Sequence, residues 1–389
     1  MFILFLQSLV RYPGLLIASL WPPADSSARR SLRRGLLMLL FIPALFVLQM
    51  IHWLGLLLDE IFYRGYRKVA ISDPVFVTGV PRSGTTLVHR TLALDEQFTT
   101  FSTWECLFAP SVAQRRLVGF VARIDKAIGG PLQRVVRWLE QKIFGALEDV
   151  HGMSLTDAEE DYFVLLPVLS CFILIVPFPY ANWLWDIGKF DQLVAEKQKK
   201  RLMNYYRRCV QKHLFAHGSG QRFLSKNASF PPLLGSLAEA FPDARFVYCL
   251  RHPVEVVPSQ LSSLRDGMAF FGNDPYHEGF RDRLIDQLEY YYRNLVAVPV
   301  PAAQKVWLRL AQFRGNLLQG VEDLYAHLGI TMTTKYRNEL IAAASNASRY
   351  DSSHQYELNE FGLSAEGLHK KFADSISELG LNQSAGDGA

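Results

Sequence analysis

The sequence has 389 residues, of which 49% are hydrophobic and 20% charged, and its formal net charge at pH 7 is +4. A chain of this length and composition can bury a sizeable core and forms one large domain or two smaller ones. The small positive charge falls well short of a nucleic-acid-binding footprint. The 4 cysteines include no C-x-x-C pair, so neither a zinc site nor a disulfide scaffold is indicated.

The amino-terminal segment contains two apolar stretches. The first, 1–21, is interrupted by Arg11 and Pro13 and lacks the basic start of a signal peptide. The second, 35–58, has 24 residues without Asp, Glu, Lys or Arg, which is long enough to span a bilayer. The pattern predicts a membrane-associated segment over 1–69, either as one span or as a pair of helices lying in the interface. A hydrophobic helix packed on the domain is the alternative.

A phosphate-binding loop is indicated directly after the strand that begins at Pro74. Gly79, four residues, Gly84 and then Thr85-Thr86 nearly match the loop in which backbone N–H groups and a helix N-terminus converge on one anion. Thr85 stands where nucleotide kinases and NTPases have the Lys that reaches the triphosphate, and the nearest cation is Arg82 inside the loop. We therefore expect a phosphate site and regard a Mg²⁺-dependent kinase or NTPase as the weaker alternative.

The remaining chain alternates between strand and helix patterns. Further strands are predicted at 98–103, 222–225, 245–250 and 306–310. Helices are predicted at 85–94, 112–145 (with a break at 129–131), 156–170, 191–217 and 315–328. This alternation is typical of an α/β protein with a doubly wound parallel sheet. We expect the domain to occupy 70–381 and the Gly/Ser-rich tail, 382–389, to be disordered.

A second anion site is suggested by Arg251, which directly follows the strand at 245–250, and by Ser259 in the next helix. Open α/β sheets bind ligands outside the carboxyl ends of their strands, and an Arg guanidinium and a hydroxyl can share one phosphate. Alone this signal is weak, because arginines in such positions commonly form structural ion pairs.

Taken together, the loop at 81–86 and the strand-end Arg251 with Ser259 resemble the sulfotransferases that use 3′-phosphoadenosine 5′-phosphosulfate (PAPS). The resemblance covers about 70–330 and extends loosely to 354–363. It is closer to the tyrosylprotein, carbohydrate and bacterial-type branches, because Arg82 stands where cytosolic members have Lys. It implies PAPS as co-substrate and no metal. The 5′-phosphosulfate would lie on the loop and the 3′-phosphate on Arg251 and Ser259; the loop residues are Arg82, Ser83, Gly84, Thr85 and Thr86.

The resemblance also implies catalytic roles for Arg82, Lys226 and Glu105. Lys226 follows a strand and is similar to the family's Lys that reaches the bridging oxygen. Glu105, 23 residues after Arg82, resembles the glutamate base of the tyrosylprotein branch, and we expect it at the end of the second strand.

Other residues compete for two of these roles. His151, Glu159 and Glu160 are the alternative bases, and Arg349 is a further candidate for the 3′-phosphate. The uncharged stretch 162–180 is interpreted as buried helix and loop, or as the wall of an apolar acceptor pocket.

The sequence thus favours transfer of a sulfuryl group to a hydroxyl of a lipid, glycan or other alcohol. A catalytically inactive membrane partner is the third possibility, and the retained loop and Arg251 argue against it. We expect a cytoplasmic catalytic domain, because a glycan on the acceptor sequence at 227–229 would block Lys226 and because Cys106 and Cys249 do not suit disulfides. A Golgi-type single span with a lumenal domain is the alternative.

Overall fold

The computed structural model describes residues 1–144, 154–218, 220–347 and 358–381. His151, Arg349 and the tail 382–389 therefore lie outside the described residues. The α-helices of the described residues are, in chain order, α1 Phe2–Leu20, α2 Leu32–Phe62, α3 Thr85–Leu92, α4 Thr103–Phe108, α5 Val112–Ala127, α6 Pro131–Phe144, α7 Asn182–Ile187, α8 Phe190–Leu193, α9 Glu196–His217, α10 Leu234–Ala240, α11 Pro253–Phe270, α12 Glu278–Ala297, α13 Leu310–Gly315, α14 Leu317–Leu328, α15 Thr334–Ala347, α16 Ala365–Lys371 and α17 Ala373–Glu378.

Five parallel strands form one sheet within these residues, in the order β2-β3-β1-β4-β5. The strands are β1 Val75–Gly79, β2 Phe98–Thr99, β3 Arg222–Asn227, β4 Arg245–Leu250 and β5 Lys305–Arg309. The central β1 is buried along its whole length, as expected for a parallel strand covered on both faces. The predicted doubly wound sheet is confirmed.

The topology decides where a ligand can bind. Strands β2 and β3, which follow β1 in the chain, lie on one side of β1, and the later strands β4 and β5 lie on its other side. The strand order therefore reverses at β1, and the crevice outside its carboxyl end is the place where open α/β sheets bind ligands. β1 ends at Gly79, which lies beside Cys249 of β4, and its Val77 lies beside Lys226 of β3.

Two predicted elements differ in the structure. The strand expected at 98–103 ends at Thr99, because Ser102 and Glu105 form a capping box that starts α4. The acidic helix expected at 156–170 is instead an irregular segment followed by the 3₁₀ helix Asp161–Val168. There Ala158 pairs with Ser102, and the Glu159 N–H donates to the Phe101 carbonyl oxygen. Pairing with the segment around Ser102 therefore replaces the hydrogen bonds of a helix.

The amino-terminal helices α1 and α2 form an antiparallel pair, in which the Gln49 amide donates to Ser8 Oγ and Phe5 contacts Trp53. Both are long and apolar enough, by length and composition, to cross a membrane. Polar side chains along α2 bond to the rest of the domain. Arg34 donates to Asn273 Oδ1, and Asp59 accepts from the Val112 N–H. Arg34 and Asp59 are separated by about 38 Å of helix, so α2 packs along the domain over most of its length.

Candidate active site

The loop between β1 and α3 depends on two glycines. Gly79 has φ +145°, and a Cβ there would lie 2.1 Å from the Cys249 carbonyl oxygen. Gly84 has φ +90°, and a Cβ there would lie 2.3 Å from Leu310 Cδ1. Gly84 is the N-cap of α3 and no side chain caps that helix, so its first N–H groups can bind an anion. Thr85 and Thr86 form the first turn.

The second anion motif contacts the loop directly. Arg82, with φ +66°, donates from Nε to Ser259 Oγ at 3.0 Å. Arg251 donates from Nη1 to the Arg82 carbonyl oxygen at 3.2 Å and from Nε to Glu255 at 2.7 Å. Tyr292 donates to the Arg251 carbonyl oxygen at 2.6 Å and so fixes the end of β4. The predicted residues Arg82, Arg251 and Ser259 therefore lie together at the end of β1 and β4, with Glu255 paired to Arg251.

Lys226 lies at the same edge of the sheet and is flanked by two carboxylates. Its side chain is only 6% exposed, with Nζ 2.8 Å from Glu160 Oε1 and 3.9 Å from Glu159 Oε1. Burial raises the pKa of Glu159 above its usual value, although Lys226 opposes this shift. A buried carboxylate of this kind can accept a proton near neutral pH more readily than an exposed one.

Asp161 holds this part of the site in place. It accepts hydrogen bonds from Tyr206 and from the Asn227 amide. Burial raises the pKa of Asp161 to about 7, and the hydrogen bond from Tyr206 opposes this shift. Asp161 thus links the segment that carries Glu160 to the end of β3.

Glu105 is engaged in a different, buried network. As the N3 residue of the capping box it accepts from the Ser102 N–H, and it also accepts from His217 Nε2 at 2.5 Å. Arg115 Nη1 lies 3.4 Å from the same carboxylate. Burial alone would raise the pKa of Glu105, but Arg115 and the hydrogen bond from His217 outweigh burial and hold the pKa well below its usual range. A carboxylate held so strongly in its ionised form is a weak base, so the assignment of Glu105 as base stays a prediction that this geometry does not favour.

The ligand atoms of Glu105, His213 and His217 lie within 4.8 Å of one another, a spacing that could hold a metal ion. Arg115 pairs with Glu105 and donates to His213 Nδ1 at 3.3 Å. A second cation beside this guanidinium would be repelled, so we interpret the cluster as a structural network that joins α4, α5 and α9.

The sequence predicts the loop, Arg251, Ser259 and Lys226 as site residues and offers Glu159 and Glu160 only as alternative bases after His151. Their place beside Lys226 depends on the pairing of Ala158 with Ser102, which has no local sequence signal. Glu105 was assigned from resemblance, although the spacing Ser102-x-x-Glu105 is itself the signal of a helix N-terminus.

The fold defines an α/β protein with a glycine-bounded loop and an uncapped helix N-terminus at the switch point of its sheet. The chain belongs to the sulfotransferase family, whose model matches residues 74–334. It is 25% identical over 334 residues, 80% of this chain and 76% of the relative, to the omega-hydroxy-beta-dihydromenaquinone-9 sulfotransferase Stf3 of Mycobacterium bovis and of Mycobacterium tuberculosis. The predicted resemblance is confirmed, and the chain is an enzyme of the sulfotransferase class.

Two solved structures share the fold over nearly the whole chain. Sulfotransferase STF9 from Mycobacterium avium has a TM-score of 0.72 at 15% identity and covers 97% of this chain and 95% of its own. Sulfotransferase STF1 from Mycobacterium tuberculosis has a TM-score of 0.69 at 20% identity and covers 95% of this chain and 92% of its own. At these identities the likeness supports the fold, which includes the region of α1 and α2.

Proposed function

We propose that this enzyme transfers a sulfuryl group from PAPS to the hydroxyl of a long-chain alcohol that resides in a membrane. The observation that carries the proposal is the position of Lys226 and its two carboxylates. Lys226, Glu159 and Glu160 adjoin the end of β1 and its loop on one side. On the other side they adjoin the 3₁₀ helix Asp161–Val168, which packs on α1 and α2.

The donor side of the site suits a 3′,5′-bisphosphate nucleotide. The loop from Arg82 to Thr86 and the open N-terminus of α3 would hold the 5′-phosphosulfate, and Arg251 with Ser259 would hold the 3′-phosphate. Bound PAPS supplies an activated sulfuryl group on a phosphate leaving group. Lys226 and Arg82 are placed to stabilise the negative charge that develops on that phosphate.

On the acceptor side, Glu159 takes the proton of the acceptor hydroxyl. It is buried, its pKa is raised by that burial, and its carboxylate lies beside the Lys226 ammonium group. Glu160 holds Lys226 in position through the 2.8 Å ion pair. Glu105 is the competing base carried over from the sequence, and the mutants described in the Discussion separate the two assignments.

The acceptor side of the site lies next to the amino-terminal helices α1 and α2. Pro167 O in the 3₁₀ helix accepts from Gln49 Nε2 at 2.6 Å and from Trp53 Nε1 at 2.7 Å, both on α2. Because α2 bonds to the domain from Arg34 to Asp59, the helix pair would lie in one leaflet with the domain on one side, and we propose the cytoplasmic side. The relative Stf3 is named for an omega-hydroxylated menaquinone, which is an alcohol of this kind.

A transfer assay with labelled PAPS tests the proposal. We expect the label to be transferred to the hydroxyl of a long-chain ω-hydroxy lipid in mixed micelles. The kcat/KM for this lipid should be at least about tenfold higher than for a short-chain alcohol with the same head structure, because burial of each CH₂ group contributes about 0.8 kcal/mol. Equal transfer to short and long alcohols would contradict the membrane acceptor. Mg²⁺-dependent ATP turnover without sulfuryl transfer would contradict the whole proposal.

The donor site gives a separate prediction. Replacing Arg251 by Ala should weaken binding of 3′-phosphoadenosine 5′-phosphate by roughly 1.5–3 kcal/mol, as for a hydrogen bond to a charged group. Calorimetry with and without EDTA measures this, and we expect binding to be independent of EDTA. Arg265→Ala is the matched control, because Arg265 is a partly exposed arginine on α11, the helix that follows Arg251, and pairs with Glu360. Loss of binding in EDTA would show that a metal takes part.

A further inference from the structure

Helices α5 and α6 form a hairpin that stands off the rest of the domain. They are joined at Gly129-Gly130-Pro131, and the Asp125 carboxylate accepts from the Leu132 N–H at 2.7 Å and the Gln133 N–H at 3.0 Å. Every residue from 116 to 142 is exposed except Asp125, Gly130 and Glu140. The hairpin is thus a defined structure whose outer surface is uncovered within the described part of the chain.

This outer surface is strongly apolar. Eleven large apolar residues of the hairpin each expose between 40% and 66% of their area, and they are Leu117, Val118, Phe120, Val121, Ile124, Ile128, Leu132, Val135, Val136, Trp138 and Leu139. They recur at 117, 121 and 124 of α5 and at its C-cap, 128, and on α6 at 132, 135, 136 and 139, the spacing of one helical face. Many large apolar side chains exposed together on one element mark a binding surface.

The exposed charges of the hairpin are all positive. Its cations are Arg116, Arg123, Lys126, Arg134, Arg137 and Lys142. Its two acids are engaged within the protein: Asp125 caps α6, and Glu140 accepts from Ser154 Oγ and from the Leu155 N–H, both at 2.8 Å. An apolar face with flanking cations and no available acid is complementary to anionic lipid headgroups.

The hairpin continues the surface of the amino-terminal helices. α5 begins where the Val112 and Ala113 N–H groups donate to Asp59 of α2, and Gln114 contacts His52. In the same part of α2, Leu54, Leu57 and Ile61 are exposed. Both the carboxyl-terminal part of α2 and the attached hairpin therefore expose apolar side chains.

We propose that the α5–α6 hairpin is a membrane-docking element that lies in the headgroup region of an anionic bilayer. Its apolar residues enter the lipid, and its arginines and lysines bind lipid phosphates. A second copy of the chain would bring two such positive surfaces together, and like charges facing each other oppose that association. This inference rests on the proposed function in one respect, namely that the acceptor alcohol resides in a membrane.

A fluorescent probe at the tip of the hairpin tests the proposal in the full-length protein. The 4 native cysteines are buried, so the variants Ile128→Cys and Gln319→Cys can be labelled selectively with an environment-sensitive nitrobenzoxadiazole dye. Gln319 lies on α14, on the opposite face of the sheet from α2, and is the control. In vesicles of phosphatidylcholine with phosphatidylglycerol, the probe at 128 should shift to the blue and be quenched by spin-labelled lipid, whereas the probe at 319 should not.

A charge variant tests the lipid selectivity. Replacing Arg123, Arg134 and Arg137 by Gln removes three of the six cations and should lower the preference for vesicles with phosphatidylglycerol by about a hundredfold, since each cation contributes about fivefold to affinity for an anionic surface. Circular dichroism checks that the exposed substitutions leave the fold intact.

Three results would overturn the proposal. The first is a probe at 128 that stays in water when vesicles are present. The second is a blue shift that arises without vesicles and grows with protein concentration, as self-association would give. The third is an unchanged lipid preference in the Gln variant. The sulfuryl-transfer assay in micelles is independent of these measurements, so failure here would leave the proposed reaction standing.

Discussion

Replacing Glu159 by Gln is expected to lower turnover by about 10²–10⁴-fold, the usual share of a general base. Gln keeps the shape and loses only the ability to accept the proton of the acceptor hydroxyl. Cofactor affinity should change little, because the carboxylate acts on the acceptor. Steady-state kinetics with a saturating hydroxyl acceptor, together with calorimetry for the product nucleotide, measures both quantities.

The pH profile adds a second readout for the same residue. A base must be ionised to act, so activity falls as pH drops through its pKa. Burial raises the pKa of Glu159, so the acidic limb of the kcat/KM profile should lie above the range of an ordinary glutamate. That limb should disappear from the residual activity of the Glu159→Gln variant.

Glu105→Gln is the matched comparison. Its carboxylate pairs with Arg115 and His217, so the change should lower the free energy of unfolding while the folded fraction keeps near-normal turnover. Thermal melting and turnover measured well below Tm separate the two effects. The reverse pattern, with Glu159→Gln active and Glu105→Gln inactive, would restore Glu105 as the base.

Replacing Lys226 by Met is expected to reduce turnover by about 10²–10³-fold, as for loss of one preorganised donor at the site of developing charge. Affinity for the product nucleotide should also fall, because the buried Lys226 lies at the edge where the phosphate loop ends. Met keeps most of the side-chain volume, so the loss would reflect charge rather than a cavity. Lys226→Arg, which keeps the charge, should retain part of the nucleotide affinity.

Lys212→Met provides the control for this experiment. Lys212 is also a fully buried lysine in an ion pair, with Nζ 3.1 Å from Asp59 Oδ2, but it joins α9 to α2 and not to the loop. We expect this variant to lose stability by about 3–5 kcal/mol, since it leaves Asp59 buried without its partner. Its nucleotide affinity below Tm should be unchanged. Equal loss of affinity in both variants would show that Lys226 acts only through stability.

The parts of the site that could be predicted are those with local signals. Gly79 and Gly84 were recognised because backbone with positive φ and close approach to neighbouring atoms requires glycine. Arg251 and Lys226 are predicted site residues because each follows a short apolar strand at the shared edge of a parallel sheet, and the role of Lys226 comes from the family resemblance. The contact between Arg82 and Ser259, which lie 177 positions apart, only the fold could show.

The amino-terminal helices likewise combine a feature that the sequence predicts with one that only the folded structure shows. Hydropathy alone predicts that the segments of α1 and α2 associate with a membrane, and composition cannot separate a span from a helix lying in the interface. Arg34, Gln49 and Asp59 bond to the domain at three separate points of α2, which composition could not reveal.

By itself, then, the sequence determined the α/β class, the glycine-bounded loop and the family, because glycine geometry, strand periodicity and strand-end cations act over a few residues. Only the tertiary structure decided which carboxylates accompany Lys226. Glu160 lies 66 positions from Lys226, and the two meet because the segment before Asp161 pairs with residues 101–104 instead of forming a helix. The tertiary structure also placed Glu105 in a buried network, because the packing of α5 and α9 on α4 brings Arg115 and His217 to its carboxylate.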